Sequence, residues 1–279
     1  MPPPTRRRIL LTGGSAGLGR VIATALHRRG DKILVVGRDP ARLRQLADQL
    51  PGTQICPADV THPADCHRVV ATTLDHFGGI DALINVVGRS DRGRIESLTA
   101  DHLRTLIDAN VIATLNMSTA AAAPLKQSRG VVVNVGSIAG RVAPRYLGGY
   151  AIAKHALSAL TQQLRLEWAD DNVHVGLISP GPIRRDDAGN RYNDRVAADN
   201  LPASAATPGG GAKLKGLDPQ IVADAILKMI DRRTPDVVLP GYLRVLIAAG
   251  HLSPRLGDWM LTKMMGSRGE GKQQDEEKD

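Results

Sequence analysis

Two residues of complementary chemistry, Tyr150 and Lys154, lie four positions apart in GGYAIAKHALSAL (148–160), a stretch made mostly of small or aliphatic residues. In a helix they stand one above the other on one face. A free phenol has a pKa of about 10, too high to exchange a proton readily at neutral pH. An ammonium one helical turn away favours the phenolate and lowers that value, which would let Tyr150 give and take a proton. Ser137, thirteen residues earlier at the end of the apolar run GVVVNVGS, has a hydroxyl suited to stabilising charge on an oxygen. Asn110 sits inside a helical pattern. Each residue also has a plainer reading: a strand-end cap for Ser137, a surface helix position for Asn110, and an exposed pair for Tyr150 and Lys154, with the lysine stem covering the ring.

A second constellation lies near the start of the chain. LLTGGSAGLGR (10–20) joins an apolar run to a helical pattern, with its glycines spaced TGxxxGxG rather than GxGxxG. Gly13 suits a tight turn, Gly17 lets the backbone approach a phosphate, and Gly19 lets helix and strand pack without a Cβ between them. The unpaired N–H groups of the following helix start then face a pyrophosphate. A glycine turn that binds nothing is the alternative. At the end of the next apolar run, VVGRDPARL (35–43) carries Arg38 where a fold preferring NAD would place an acidic residue for the ribose 2′-OH. Arginine favours the 2′-phosphate of NADP. Asp39 next to it reads as a helix N-cap with Pro40 at the first helical position, and Arg42 as a solvated side chain.

The elements that must position these residues follow from the apolar pattern. Short β-branched runs at 7–13, 31–37, 53–59, 81–88, 130–137, 172–179 and 236–240 alternate with helix-length segments at 17–29, 40–50, 63–77, 99–124, 149–170 and 218–232. Most of the runs are continuously apolar, the mark of strands buried on both faces. The expected fold is α/β: a single Rossmann-type, doubly wound parallel sheet with helices on both faces. One domain is expected over 1–265, with a mobile substrate loop at 201–216, a helical extension at 241–265 and a disordered tail at 266–279. In the extension, Leu243, Leu246 and Ile247, then Leu256, Trp259, Met260, Met264 and Met265, form amphipathic faces that pack on the protein or a partner subunit. A membrane-surface contact is the weaker alternative.

Composition narrows the class. Of 279 residues 42% are hydrophobic but only 3% aromatic, so the core is aliphatic and alanine-rich. Cys56 and Cys66 stand in no CxxC or Cys/His cluster, which argues against a disulfide framework or a metal site and suits a reducing cytoplasm. The basic, proline-rich start is no signal peptide, and no apolar run reaches the roughly 18 residues of a spanning helix. A net charge of +8 with little aromatic interleaving fits an anionic small ligand better than nucleic acid. Arginines at 89, 92, 94, 145, 184 and 185 are expected to steer the phosphates of NADPH or an anionic substrate.

Together these features resemble the short-chain dehydrogenase/reductase family over residues 8 to 240. The resemblance rests on Gly13, Gly17 and Gly19, Asp59-Val60, NVVG at 85–88, Asn110, Ser137, Tyr150-x-x-x-Lys154, and PGPI at 180–183. It implies that Asn110, Ser137, Tyr150 and Lys154 are catalytic, Lys154 also bonding the nicotinamide ribose and Asn110 holding a proton-relay water. It implies cofactor contacts from Gly13, Ser15, Gly17, Leu18, Gly19, Arg38, Asp59 (adenine amine), Val60, Asn85, Gly88, Pro180, Gly181 and Ile183. Two departures stand out: Val86 and Val87 replace smaller residues, and Arg185 stands where the family often has Thr. The implied activity is NADP(H)-dependent interconversion of a ketone or aldehyde and an alcohol on an apolar or medium-sized substrate. The alternatives are reduction of a β-ketoacyl thioester, epimerisation, or NADPH binding without turnover. A homodimer or homotetramer is expected, with Ala151, Ala153, Ala156 and Ala159 allowing close approach of a neighbouring subunit.

Overall fold

A computed structural model describes residues 6–184, 192–207, 209, 211 and 214–264. Arg185, Met265 and the expected tail lie outside the described residues. Seven strands, β1 (Arg8–Thr12), β2 (Lys32–Gly37), β3 (Gln54–Pro57), β4 (Ala82–Asn85), β5 (Val131–Val135), β6 (His174–Pro180) and β7 (Asp236–Leu239), form one sheet in the order β3-β2-β1-β4-β5-β6-β7, with every pairing parallel.

Successive strand residues enter opposite cores, which is why the runs are continuously apolar. Ile9 and Leu11 of β1 face α1 (Gly17–Arg29), α2 (Pro40–Gln49) and α9 (Pro219–Arg232), through Ile22, Leu43 and Ile226. Leu10, Leu83 and Val132 face α3 (Pro63–Phe77), α5 (Ala113–Ala120), α6 (Ala122–Ser128) and α7 (Tyr150–Glu167), through Val69, Met117, Leu125 and Leu164.

Capping explains where several helices begin. Asp39 accepts from the amides of Ala41 and Arg42 and starts α2 at Pro40, as expected of it. Asp218 does the same for α9, and Thr99 for α4 (Ala100–Ile107).

The helix expected at 99–124 is broken. After α4 comes a π-turn, Asp108–Ile112, in which the amide of Ala113 reaches back five residues to the Asp108 carbonyl, and α5 follows. The side chain of Asn110 inserts here, donating to the Leu106 carbonyl at 2.8 Å. Such π-turns occur where a side chain disturbs the helical ladder, often at functional sites.

The stretch expected as a loop from 201 contains a 3-10 turn, Ala203–Ala206, preceded by α8 (Asn193–Ala198). Val196, Leu201, Ala205 and Ala206 bury one another there. Beyond β7, α10 (Leu243–Leu252) and α11 (Pro254–Met264) form a hairpin that crosses at glycines: a Cβ on Gly257 would lie 2.8 Å from the Gly250 carbonyl oxygen.

Candidate active site

The strand order reverses between β1 and β4, and a cleft of about 1360 Å³ opens at the C-terminal strand ends there, the usual ligand position in such sheets. The glycine turn forms one wall. Gly13 has φ +69° and its amide donates to Val36 at 2.8 Å, while Gly17 has φ +50°. A Cβ on Gly19 would lie 2.0 Å from the Gly13 carbonyl oxygen, so this turn closes only around glycine. Ala16 caps α1 without a side-chain bond, unlike the residues that start α2, α4 and α9. The first amides of α1 therefore stay open beside Ser15, Gly17 and Leu18, which line the cleft and suit the pyrophosphate of a dinucleotide. Val86 and Val87, the departure noted above, press on Gly13: the Val87 amide nitrogen would stand 3.0 Å from a Cβ there.

Arg38, Asp59 and Val60 line the next part of the cleft. The Arg38 side chain is 80% exposed, with Asp59 3.9 Å away. Asp59 accepts from the amide and hydroxyl of Thr61 at 3.0 and 2.8 Å. Partial burial pushes its carboxyl up, but the Thr61 bonds and the Arg38 charge outweigh that and hold it below the ordinary value. Arg42 turns to Asp39 at 3.2 Å.

At the far end Tyr150 opens α7. Lys154, 4% exposed, donates from Nζ to the Val135 carbonyl at 3.0 Å and lies 5.9 Å from the centre of the Tyr150 ring. The exposed-pair reading is therefore set aside. Burial pulls the Lys154 ammonium down to about 8. Gly88 brings two of the predicted residues together, since a Cβ on it would lie 2.7 Å from Asn110 Oδ1 and 3.4 Å from Lys154 Nζ. Asn110 is fully buried, which excludes the surface reading. Ser137 Oγ accepts from Ala139 at 3.1 Å, capping the turn Ile138–Gly140, and Ser137 lines the cleft with Tyr150. Gly140 packs so closely on α7 that a Cβ would meet the Lys154 carbonyl oxygen at 2.5 Å, which fixes Ser137 relative to Lys154.

Pro180, Gly181 and Ile183 line the cleft below β6. Gly181 donates to Leu239 at 2.7 Å, and Ile183 bridges to Leu217. Asn85 differs from its expected place beside the cofactor. It is buried under the cleft, donating to Asn134 Oδ1 at 2.9 Å, because parallel register aligns the two residues on β4 and β5. Asn134 in turn donates to Thr161 of α7 at 3.0 Å. No sequence motif marked Asn134 or Thr161; strand register pairs Asn134 with Asn85, and Thr161 joins them through Asn134.

Within the arginine-rich run 88–94, Arg89 lines the cleft, but Arg92 differs from its reading as steering charge. Arg92 is only 3% exposed and its guanidinium donates to the main-chain carbonyls of Ala205 and Thr207, because α8 and the 3-10 turn cover it. Arg184 pairs with Asp218. Ala151 and Ala153, expected at a subunit contact, are buried within the chain, Ala151 against Ala139 and Leu147. From the hairpin, Leu246, Ile247, Met260 and Met264 line the cleft, while Leu256 and Trp259 are exposed. Among the described residues no His, Cys, Asp and Glu group could hold a metal ion, and no helix is long and apolar enough to cross a membrane.

Comparisons with known proteins agree with this geometry. The family model of the short chain dehydrogenases matches residues 7–195. An uncharacterized oxidoreductase of Staphylococcus aureus is 31% identical over 226 residues, 80% of this chain and 90% of that protein. One from Staphylococcus epidermidis is 35% identical over 176 residues, 62% and 76% of the two chains. A short-chain dehydrogenase structure from Streptomyces avermitilis superposes with a TM-score of 0.74 at 25% identity, covering 91% of this chain and 96% of that one. A short chain dehydrogenase/reductase from Burkholderia phymatum in complex with NAD gives 0.76 at 20% identity, covering 89% and 94%. A glycine-walled, uncapped helix start, a buried lysine beneath a tyrosine and a match over two thirds of the chain agree: the chain belongs to the short-chain dehydrogenase family.

Proposed function

We propose that the protein is an NADP(H)-dependent oxidoreductase interconverting a ketone or aldehyde and an alcohol. The observation that carries this reading is the buried Lys154 ammonium beside the Tyr150 ring, with Gly88 and Asn110 against it, at the inner end of a cleft whose outer end is a phosphate-sized glycine turn. When bound, the nicotinamide supplies or accepts a hydride. Tyr150 gives its phenolic proton to the carbonyl oxygen in reduction and takes one from the alcohol in oxidation. The Ser137 hydroxyl donates to the same oxygen as charge develops there. Lys154 favours the phenolate that Tyr150 leaves and returns a proton to it. The Asn110 side chain is bonded to Arg89 and Leu106, which braces the loop against the cofactor.

The preference for NADP(H) over NAD(H) is supported by Arg38, which is exposed to the cleft at the end of β2, with Asp59 at 3.9 Å the nearest acidic side chain among the described residues. An apolar or medium-sized substrate is supported by the wall of Leu246, Ile247, Met260 and Met264. A homodimer or homotetramer through α7 is supported by exposed Ile152 and Leu166 on that helix, and a cytoplasmic setting by two buried, unpaired cysteines.

The test follows NADPH absorbance, with NADH in parallel, against ketones, quinones, steroids and β-ketoacyl thioesters, with Tyr150→Phe as control. Turnover with NADPH that disappears in the control is the expected result. Turnover retained by Tyr150→Phe would overturn the assignment of the acid, and equal affinity for the two cofactors would overturn the cofactor preference.

A further inference from the structure

Residues Asp91, Arg92 and Gly93 lie between two structures that both border the cleft. On one side is the turn leading into α7. Gly93 donates to Tyr146 at 3.1 Å and accepts from Gly148 at 3.1 Å, forming a short parallel bridge to Leu147. The Leu147 carbonyl in turn accepts from the Tyr150 amide at 3.1 Å. The Asp91 carboxylate stands against Gly148, where a Cβ would lie 2.6 Å from Oδ2, and is held by His102 at 3.0 Å. On the other side is the cover of the cleft, residues 192–207, of which Tyr192 and Ala206 line it. Arg92 donates from Nε to Ala205 at 2.6 Å and from a terminal nitrogen to Thr207 at 3.0 Å, and its guanidinium lies 4.1 Å from the centre of the Tyr192 ring. Arg195 of the cover donates back to the Arg92 carbonyl at 3.3 Å. Tyr146, from the turn before Tyr150, packs on the apolar cluster of the cover.

The buried Arg92 guanidinium reaches two main-chain carbonyls of the cover, those of Ala205 and Thr207. A planar fork that spans two carbonyls fixes both at once. Among the described residues the apolar cluster beneath the cover has four buried members, and the fork ties the cover to the rest of the chain beside it. We propose that Arg92 is a positioning residue that couples the order of the cover, 192–207, to the placement of Tyr150, through the shared rail of Asp91 to Gly93. A substrate held under the cover then steadies the acid that will protonate it, and by reciprocity a disturbed Tyr150 turn loosens the cover. This rests on the proposed role of Tyr150, but the test below reads the coupling without turnover.

The experiment is hydrogen–deuterium exchange on the full chain saturated with NADPH, comparing wild type, Arg92→Met and Gly148→Ala. Arg92→Met removes the fork at similar volume, and Gly148→Ala pushes a Cβ into Asp91 from the Tyr150 side. Each variant is expected to raise exchange about tenfold in both 192–207 and 146–151, with β1 and β4 unchanged. Ultraviolet titration supplies the readout that a merely structural role would not move. The tyrosinate signal that is missing in Tyr150→Phe should titrate at higher pH in Arg92→Met, because the ring has left its place beside Lys154. Faster exchange confined to 192–207, with that signal unmoved, would overturn the coupling. If Arg92→Met does not fold, Tyr192→Leu loosens the cover without stranding a charge and decides between the same outcomes. Turnover surviving in Tyr150→Phe would sink the functional reading while leaving the exchange result on the coupling intact.

Discussion

Asn110 grips the main chain of Arg89 from both sides, accepting from its amide at 3.3 Å and donating to its carbonyl at 2.9 Å. The widened turn of the helix and the loop after β4 are thereby one unit, and Gly88, next in the chain, is held against Lys154. Replacing this side chain by Leu leaves buried amide and carbonyl groups without partners, each costing about 1–3 kcal/mol. Asn110→Leu is expected to lower the urea midpoint by the equivalent of about 2–4 kcal/mol. Turnover should fall with it, since the loop bearing Gly88 is no longer fixed. An unchanged midpoint would show that the loop holds itself.

Lys154 gives a prediction with opposite signs for stability and activity. Burial lowers its ammonium from 10.5 to about 8. Below about pH 8 the folded chain keeps a desolvated charge that the unfolded chain keeps in water, a penalty of about 3 kcal/mol. Between about 8 and 10.5 the folded chain sheds the proton first, so this group's contribution to stability rises with pH across that window. Lys154→Met should therefore melt higher than wild type at pH 7 without cofactor, and the gain should shrink to nothing above about pH 10.5. The same variant should have no measurable turnover. Melting curves at several pH values check the first claim; a lower melting point at pH 7 would contradict it.

Gly19 is expected to tolerate no side chain. The clash of an added Cβ is with a main-chain oxygen of the turn itself, 2.0 Å away, so no rotamer change relieves it. Overpacking of this kind costs about 1–3 kcal/mol, and here the strain falls on the phosphate cradle. Gly19→Ala should weaken NADPH binding by about tenfold to a hundredfold. A fluorescence titration reads it, and an affinity within twofold of wild type would show that the turn bends elsewhere.

Arg38 should separate the two cofactors. Its side chain is largely in solvent without the 2′-phosphate, so its removal should leave the fold unchanged. Arg38→Leu is expected to cost NADPH about 1.5–3 kcal/mol of binding, a loss of roughly tenfold to a hundredfold, and to leave NADH nearly unaffected. Parallel loss for both cofactors would place Arg38 on a shared part of the dinucleotide.

Much of this arrangement was legible in the chain itself because it depends on local rules. Continuous apolar runs marked strands buried on both faces, and glycine spacing marked a turn that only glycine can close. Asp39 with Pro40 gave the start of α2, and the four-residue interval of Tyr150 and Lys154 gave their shared face. The tertiary structure decided what depends on residues distant in sequence. Asn85 left the cleft because β4 and β5 align it with Asn134. Ala151 and Ala153 turned inward because the turn Ile138–Gly140 packs on α7. Arg92 is chemically the same as Arg89 and Arg94 beside it, and nothing local distinguishes them. It became a buried tie only because a segment a hundred residues later folds over it and offers carbonyls where water would otherwise be. Periodicity and backbone geometry are written in neighbouring residues; desolvation is set by whatever the rest of the chain brings close.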